Sequence, residues 1–104
     1  MLRYVYGAGA VKARVPQDSI TADSLIKFSQ ATYIPKGHTP RSALLDADGY
    51  VYVPAACNTA ATSAKCKVHV HYHGCGGSYK DMGYSYMLLN GLAAYAESND
   101  IIVV

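Results

Sequence analysis

The sequence predicts an α/β fold, and three observations in its second half support this prediction. Residues 66–73 form a β-prone run that ends in a glycine-rich loop at residues 74–80. Residues 101–104 are a continuous β-branched run, as in a strand buried on both faces. Between these runs, from about residue 84 to residue 98, apolar side chains recur at helical spacing: Tyr84, Leu88, Leu92 and Tyr95.

Strand, loop, helix and strand in this order form a βαβ unit. We expect its two strands to be parallel neighbours in a parallel central sheet, joined by a right-handed crossover. Asp81 precedes the helix and could cap it or complement its dipole. Gly91 weakens the helix by about 1 kcal/mol, and Asn99-Asp100 ends it. We expect Glu97 to face solvent.

The first part of the chain, residues 1–45, is predicted to be an irregular lead-in with one possible strand. Glycines and a proline interrupt residues 1–20. Residues 24–34 alternate imperfectly between apolar and polar side chains, which predicts a strand, with a short helix as the alternative. Residues 36–45 follow a Pro-Lys-Gly break and are predicted to be a loop.

The second part, residues 46–104, begins near an Asp48-Gly49 pair, which is a strong turn signal. Residues 50–54 follow as a β-rich run closed by a proline, which predicts a strand. The chain stops inside the last predicted strand, where an intact domain rarely ends. We therefore expect a fragment that continues beyond both ends.

Composition narrows the class of protein. Of 104 residues, 51% are hydrophobic and only 15% are charged, which argues against disorder. The net charge is +2 and no cluster of Lys and Arg is present, so we expect no nucleic-acid partner. No apolar run approaches the length of a bilayer span, so we expect no membrane partner. The first 20 residues lack the apolar stretch of a signal peptide, so a leader would lie upstream.

Three cysteines leave an odd count. Cys57 and Cys66 bracket a short polar loop that could bring them within disulfide distance, and we favour that bridge. Cys75 is then left over, and in a secreted protein a leftover cysteine suggests a partner outside this segment. The alternative is three reduced thiols in a cytosolic protein.

The run His73-Gly74-Cys75-Gly76 ends the predicted strand abruptly and carries the most specific chemical signal. Acyl transfer places negative charge on a carbonyl oxygen, which backbone N–H groups at a tight turn can stabilise in an oxyanion hole. In α/β-hydrolases one such donor comes from the loop after the third strand, often a His-Gly turn. We predict the N–H of Cys75 as the donor, with Gly76 second. The alternative is an ordinary glycine-rich turn.

The chain offers no credible nucleophile. Ser78 and Ser85 each approach a Gly-x-Ser-x-Gly elbow but lack its final glycine, and neither directly follows a predicted strand. Ser78 could still line the substrate entrance.

His69, His71 and His73 alternate and should share one face of a strand, where three imidazoles could bind zinc. Ordinary sheet patterning produces the same alternation, and we predict no metal site. We expect His73 to hydrogen-bond the loop and hold its donor in place, and the other two to be buried with polar partners.

Several ordered blocks resemble the extracellular poly(3-hydroxybutyrate) depolymerases of the circularly permuted type. These blocks are residues 50–57 (Tyr-Val-Tyr-Val-Pro-Ala-Ala-Cys), 66–75 (Cys-Lys-Val-His-Val-His-Tyr-His-Gly-Cys) and 95–104 (Tyr-Ala-Glu-Ser-Asn-Asp-Ile-Ile-Val-Val). Residues 25–30 resemble the preceding strand of that family, and Tyr6-Gly7 its lead-in. The departures are His71-Tyr72, where the family usually has small or apolar residues, and Tyr95, where Trp is usual.

The resemblance implies part of a secreted serine carboxylesterase of α/β-hydrolase fold. Residues 46–104 would supply its oxyanion-hole part, while the catalytic Ser, Asp and His lie outside this chain. It implies an ester substrate, poly(3-hydroxybutyrate), and no cofactor. The alternatives are a feruloyl or acetyl esterase acting on polysaccharide, and a catalytically inactive binding module.

Overall fold

The computed structural model describes all residues, 1–104, and contains one four-stranded mixed sheet with short helices. The strands are β1 (Leu25–Ser29), β2 (Asp48–Tyr52), β3 (Lys67–His69) and β4 (Ile101–Val103), in the order β1-β2-β4-β3 across the sheet.

Strands β3 and β4 are parallel, with Lys67 opposite Ile101 and His69 opposite Val103, as the βαβ pattern predicts. The sheet around this pair is mixed rather than parallel as expected, because β2 runs antiparallel to both of its neighbours, β1 and β4. No α-helix lies between β1 and β2, so the chain simply turns back, which favours antiparallel pairing.

Five α-helices, all short, accompany the sheet: α1 (Leu2–Tyr6), α2 (Ala60–Ser63), α3 (Tyr79–Met82), α4 (Ser85–Leu89) and α5 (Leu92–Asn99). Short 3₁₀ turns lie at Gln17–Ser19, Ala22–Ser24, Gln30–Tyr33, Arg41–Ala43 and Ala55–Cys57. None of the helices is both long and apolar enough to cross a bilayer.

The continuous helix predicted from residue 84 to residue 98 is instead two helices, α4 and α5. Gly91 separates them, with φ of 78°, a left-handed conformation that breaks a right-handed helix. Helix α5 ends at Asn99, and Asp100 follows in the left-handed region with φ of 55°, which confirms the predicted end.

The core lies where α5 packs against β2 and β4. Three alanines on α5, Ala93, Ala94 and Ala96, are at most 3% exposed, and Ile101 at the start of β4 is 1% exposed. Small side chains on one helix face let its backbone approach the strands closely. This packing fixes where β4 lies, and β4 in turn aligns β3 and the loop that follows it.

The lead-in is more ordered than its composition predicts. Residues 2–6 form α1, with Leu2 buried against Val11 and Leu92. The N–H of Val15 donates to the Ala94 carbonyl at 3.1 Å, so this segment is bound along α5. Long-range contacts of this kind leave no local sequence pattern.

The Asp48-Gly49 turn prediction is wrong, because both residues lie within β2. Gly49 pairs with Phe28, whose ring covers it; a Cβ built on Gly49 would lie 2.8 Å from Phe28 Cε1. The glycine therefore provides space for a cross-strand aromatic ring. Residues 24–34 contain both alternatives, β1 and then the 3₁₀ turn Gln30–Tyr33, while the predicted loop at 36–45 contains only one 3₁₀ turn.

Candidate active site

A tight turn at Gly74–Gly77 follows strand β3. The N–H of Gly77 donates to the Gly74 carbonyl at 3.1 Å, which closes a four-residue turn. Gly76 has φ of 72° while Cys75 does not have a positive φ, and this combination is the signature of a type II turn. Gly77 is buried, and a Cβ there would lie 3.1 Å from His73 Cβ. The positive φ favours glycine at position 76, and a side chain at position 77 would displace its neighbours by a few tenths of an ångström.

The Gly74 carbonyl receives a second hydrogen bond from within the same loop. His73 Nδ1–H donates to it at 2.8 Å. Two donors therefore fix one carbonyl oxygen, and the His73 ring is held in the tautomer with its proton on Nδ1. The predicted contact between His73 and the loop is present.

This arrangement determines where the Cys75 N–H points. The Gly74 carbonyl and the Cys75 N–H belong to one planar trans peptide, so they point in opposite directions. Holding the carbonyl inward therefore directs the N–H outward. Neither the Cys75 N–H nor the Gly76 N–H has a hydrogen-bond partner in the protein, and both residues are exposed. The turn presents two adjacent free donors.

The three alternating histidines lie near one another but do not form a metal cluster. The His69 and His71 rings are 6.3 Å apart and nearly parallel, and no group of three His, Cys, Asp or Glu side chains is arranged to hold a metal ion. His69 and His71 are half-buried rather than fully buried. Their partners are tyrosines: Tyr6 Oη at 3.5 Å from His69 Nδ1, and Tyr86 Oη at 2.9 Å from His71 Nε2.

Burial lowers the pKa of His71, and the neighbouring imidazoles of His69 and His73 lower it further. The ring is consequently kept neutral near pH 7, and its Nε2 shares a hydrogen bond with the Tyr86 hydroxyl. Tyr86 was not among the predicted site residues. It is 15 residues from His71 in the sequence, and no local motif connects the two.

Ser78 forms the N-cap of α3 and is not a nucleophile elbow. Its Oγ donates to Asp81 Oδ2 at 2.5 Å, and its N–H donates to the same oxygen at 3.2 Å. This capping box fixes the start of α3 directly after the turn. Asp81 was expected to cap the helix predicted from residue 84 to residue 98, but it lies inside α3 and stabilises the start of that helix instead. Ser85 is the first residue of α4 and likewise does not lie on a strand-to-helix elbow.

A cavity of about 440 Å³ opens beside the turn. Its lining is mostly hydrophobic and includes His73, Gly77 and Ser78 together with Tyr50 and Tyr79. The volume is in the range that holds small organic ligands. The lining also contains the carboxylates of Asp46 and Asp48, and it does not include Cys75 or Gly76.

The predicted disulfide is present. Cys57 and Cys66 are bonded, with Cα atoms 6.1 Å apart. Cys75 is exposed and has no partner among these 104 residues. Its pairing with a cysteine outside the segment stays a prediction.

These features define the class: an α/β protein with a donor-bearing glycine turn at the end of a parallel strand, beside an apolar cavity. No family model matches the sequence. The chain is 31% identical to a polyhydroxybutyrate depolymerase of Talaromyces funiculosus, over 99% of this chain and 27% of the relative. It is also 31% identical to a poly(3-hydroxybutyrate) depolymerase of Delftia acidovorans, over 100% of this chain and 19% of that protein.

Solved structures give the same result. The crystal structure of the depolymerase from Penicillium funiculosum superimposes with a TM-score of 0.70 and 30% identity, over 98% of this chain and 28% of that one. A depolymerase variant with a serine-to-alanine substitution, complexed with an R3HB trimer, gives a TM-score of 0.72 and 32% identity over the same shares. The chain is therefore homologous to polyhydroxybutyrate depolymerases, and it spans about a quarter or less of the length of the curated relatives it matches.

Proposed function

We propose that this chain forms the oxyanion-hole part of a secreted serine carboxylesterase that hydrolyses poly(3-hydroxybutyrate). Homology to depolymerases along the whole chain supports the reaction and the substrate class. The mixed sheet with its parallel β3–β4 pair is compatible with part of an α/β-hydrolase fold. We assign the hole to residues 46–104 and regard residues 1–45 as the lead-in that supports α5.

The observation that carries the proposal is the free Cys75 N–H, whose direction is fixed through the Gly74 carbonyl by His73 and Gly77. When a serine attacks an ester, the carbonyl oxygen becomes negatively charged. A fixed N–H aimed at that oxygen stabilises both tetrahedral intermediates, by about 3–4 kcal/mol per donor in known cases. Cys75 supplies the first donor of this loop and Gly76 the second.

The remaining catalytic groups come from elsewhere in the protein. Ser78 and Ser85 occupy helix starts, so we place the acylated serine, with its Asp and His partners, outside these 104 residues. Ser78 lines the cavity. Its hydroxyl group donates a hydrogen bond to Asp81. Its oxygen can still accept a hydrogen bond from the terminal hydroxyl group of a polyester chain. No cofactor takes part.

We place the protein outside the cell. The Cys57–Cys66 disulfide supports this location, because disulfides persist in oxidising compartments and are rare in the cytosol.

The hole is tested by Cys75→Pro with Cys75→Ser as its matched control, in the full-length gene product. Proline removes the N–H together with the thiol and suits this turn, because proline is favoured at the second position of a type II turn. We expect Cys75→Pro to lower kcat by about 10²- to 10³-fold with little change in KM. Cys75→Ser loses the thiol but keeps the N–H, so it should retain most of the activity. Equal activity of the two variants would overturn the assignment.

The substrate class is tested separately by hydrolysis of poly(3-hydroxybutyrate) film, with release of 3-hydroxybutyrate as the readout. Feruloyl and acetyl esters of plant polysaccharide serve as comparison substrates. We expect the film to be degraded faster than either ester. A protein that cleaves only the polysaccharide esters would overturn the proposed substrate, and one without esterase activity would overturn the proposed enzyme.

A further inference from the structure

Tyr86 on helix α4 contacts the donor turn on both sides. Its ring meets the His73 ring edge-on, with centroids 6.3 Å apart and planes at 79°. A Cβ built on Gly77 would lie 3.5 Å from Tyr86 Cε2, so the same ring also packs over the end of the turn. The Tyr86 ring thus packs against both His73, which precedes the turn, and Gly77, which closes it.

Tyr86 is itself held in place by His71. Its hydroxyl lies 2.9 Å from His71 Nε2, and the two rings have nearly parallel planes with centroids 5.8 Å apart. The Tyr86 hydroxyl and His71 Nε2 share one hydrogen bond, and the tautomer of the neutral ring decides which of the two donates. A side chain with a hydrogen bond at its tip and rings on two sides has little freedom to rotate.

We infer that Tyr86, held by His71, is a positioning residue for the oxyanion-hole turn. This inference rests on the proposed function and adds to it a residue whose effect passes through His73. The Tyr86 ring restricts rotation of His73, so His73 Nδ1–H stays directed at the Gly74 carbonyl. Without the ring, that carbonyl keeps only the Gly77 N–H, and the Gly74–Cys75 peptide plane can rotate. The Cys75 N–H then no longer points in one direction.

The test combines Tyr86 variants with Cys75→Pro in the full-length protein. Tyr86→Phe loses the hydrogen bond to His71 and should lower kcat about threefold. Tyr86→Leu also loses the ring contacts and should lower kcat about tenfold or more, with KM nearly unchanged. In the Cys75→Pro background both losses should disappear, because the donor that they position is absent. Tyr95→Leu removes a half-buried tyrosine from α5, away from the turn, and should leave kcat unchanged.

The outcomes separate this inference from the proposed function. If Cys75→Pro retains full activity, the proposed hole is wrong. If Cys75→Pro is impaired but Tyr86→Leu lowers kcat by the same factor in both backgrounds, the hole stands and the positioning role is wrong.

NMR relaxation of the full-length protein gives a second test that does not depend on catalysis. The backbone order parameter of the Cys75 amide should fall from about 0.85 toward about 0.6 in Tyr86→Leu. Tyr86→Phe, which preserves the shape of the side chain, should lower it less. An unchanged order parameter in Tyr86→Leu would overturn the inference.

Discussion

The Tyr52 hydroxyl donates a hydrogen bond to Glu97 Oε2 at 2.6 Å and so joins strand β2 to helix α5. The N–H of Ala55 reaches the same carboxylate at 3.2–3.3 Å. Tyr52 is 6% exposed, and its burial, with the hydrogen bond to Glu97, raises its pKa well above the usual value. The expectation that Glu97 faces solvent is therefore wrong. Its carboxylate connects the helix to the strand and to the segment before the disulfide.

Tyr52→Phe removes this hydrogen bond and changes nothing else in shape. We expect the free energy of unfolding to fall by about 1.5–3 kcal/mol, the range for a hydrogen bond to a charged group. Urea denaturation measures the loss. Tyr4→Phe is the matched control because Tyr4 is 95% exposed, and it should change the stability by less than about 0.5 kcal/mol. Equal stabilities of the two variants would show that the Tyr52–Glu97 contact contributes nothing.

The disulfide closes a short loop, since Cys57 and Cys66 are 9 positions apart in the sequence. Loop-closure entropy predicts that Cys57→Ser combined with Cys66→Ser lowers the free energy of unfolding by about 2–3 kcal/mol. Denaturation with and without reductant measures this difference. Cys75→Ser keeps the bridge and should match the unsubstituted chain both with and without reductant, because Cys75 is exposed and outside the bridge. A thiol titration of the unreduced 104-residue chain should find one free thiol, and three would contradict the bridge.

The lowered pKa of His71 predicts that the free energy of unfolding falls in acid. The unfolded chain takes up a proton at His71 near the ordinary pKa of 6.5, before the folded protein does. The stability from the neutral ring is therefore fully present above about pH 6.5 and is lost as the pH falls toward the lowered folded pKa.

Urea denaturation between about pH 7.5 and about pH 5 measures the pH dependence expected for His71. We expect His71→Gln to flatten the dependence in this window, whereas His38→Gln, at an exposed loop position, should retain it. A wild-type stability that does not fall below about pH 6.5 would contradict the prediction.

The close contact between Gly49 and Phe28 predicts a specific intolerance. Gly49→Ala forces the Phe28 ring away and should lower the free energy of unfolding by about 1–3 kcal/mol. Gly9→Ala is the control because a Cβ at Gly9 meets nothing within 4 Å. That variant should be neutral or slightly more stable, since alanine restricts the unfolded chain. Thermal unfolding of both variants measures the contrast, and an unchanged Gly49→Ala would show that the ring does not constrain this position.

Local patterns predicted the parts of the fold whose causes are local. The β-branched run at residues 101–104 and the helix before it predicted the parallel β3–β4 pair, and the short polar loop predicted the Cys57–Cys66 bridge. The Gly74–Gly77 turn was likewise visible, because tight turns have strong residue preferences.

Most of the wrong predictions concern positions whose conformation or contacts depend on residues far away in the sequence. Asp48-Gly49 has the composition of a turn, but pairing with β1 and the Phe28 ring hold it in a strand. One error has a local cause instead, because Gly91 breaks a helix that apolar periodicity alone would continue. The contacts of Tyr86 with His71 and of Glu97 with Tyr52 join residues 15 and 45 positions apart, and single-sequence periodicity carries no information about such pairs.

The central claim is that the Cys75 N–H binds the oxyanion, and a structure of the full-length protein inhibited by a phosphonate ester tests it most directly. The phosphonate forms a tetrahedral adduct whose oxygen stands in for the oxyanion. We predict that this oxygen lies about 2.7–3.1 Å from Cys75 N, with the His73 Nδ1–H still bonded to the Gly74 carbonyl. An oxygen held by other groups, with the Cys75 N–H still facing solvent, would contradict the claim.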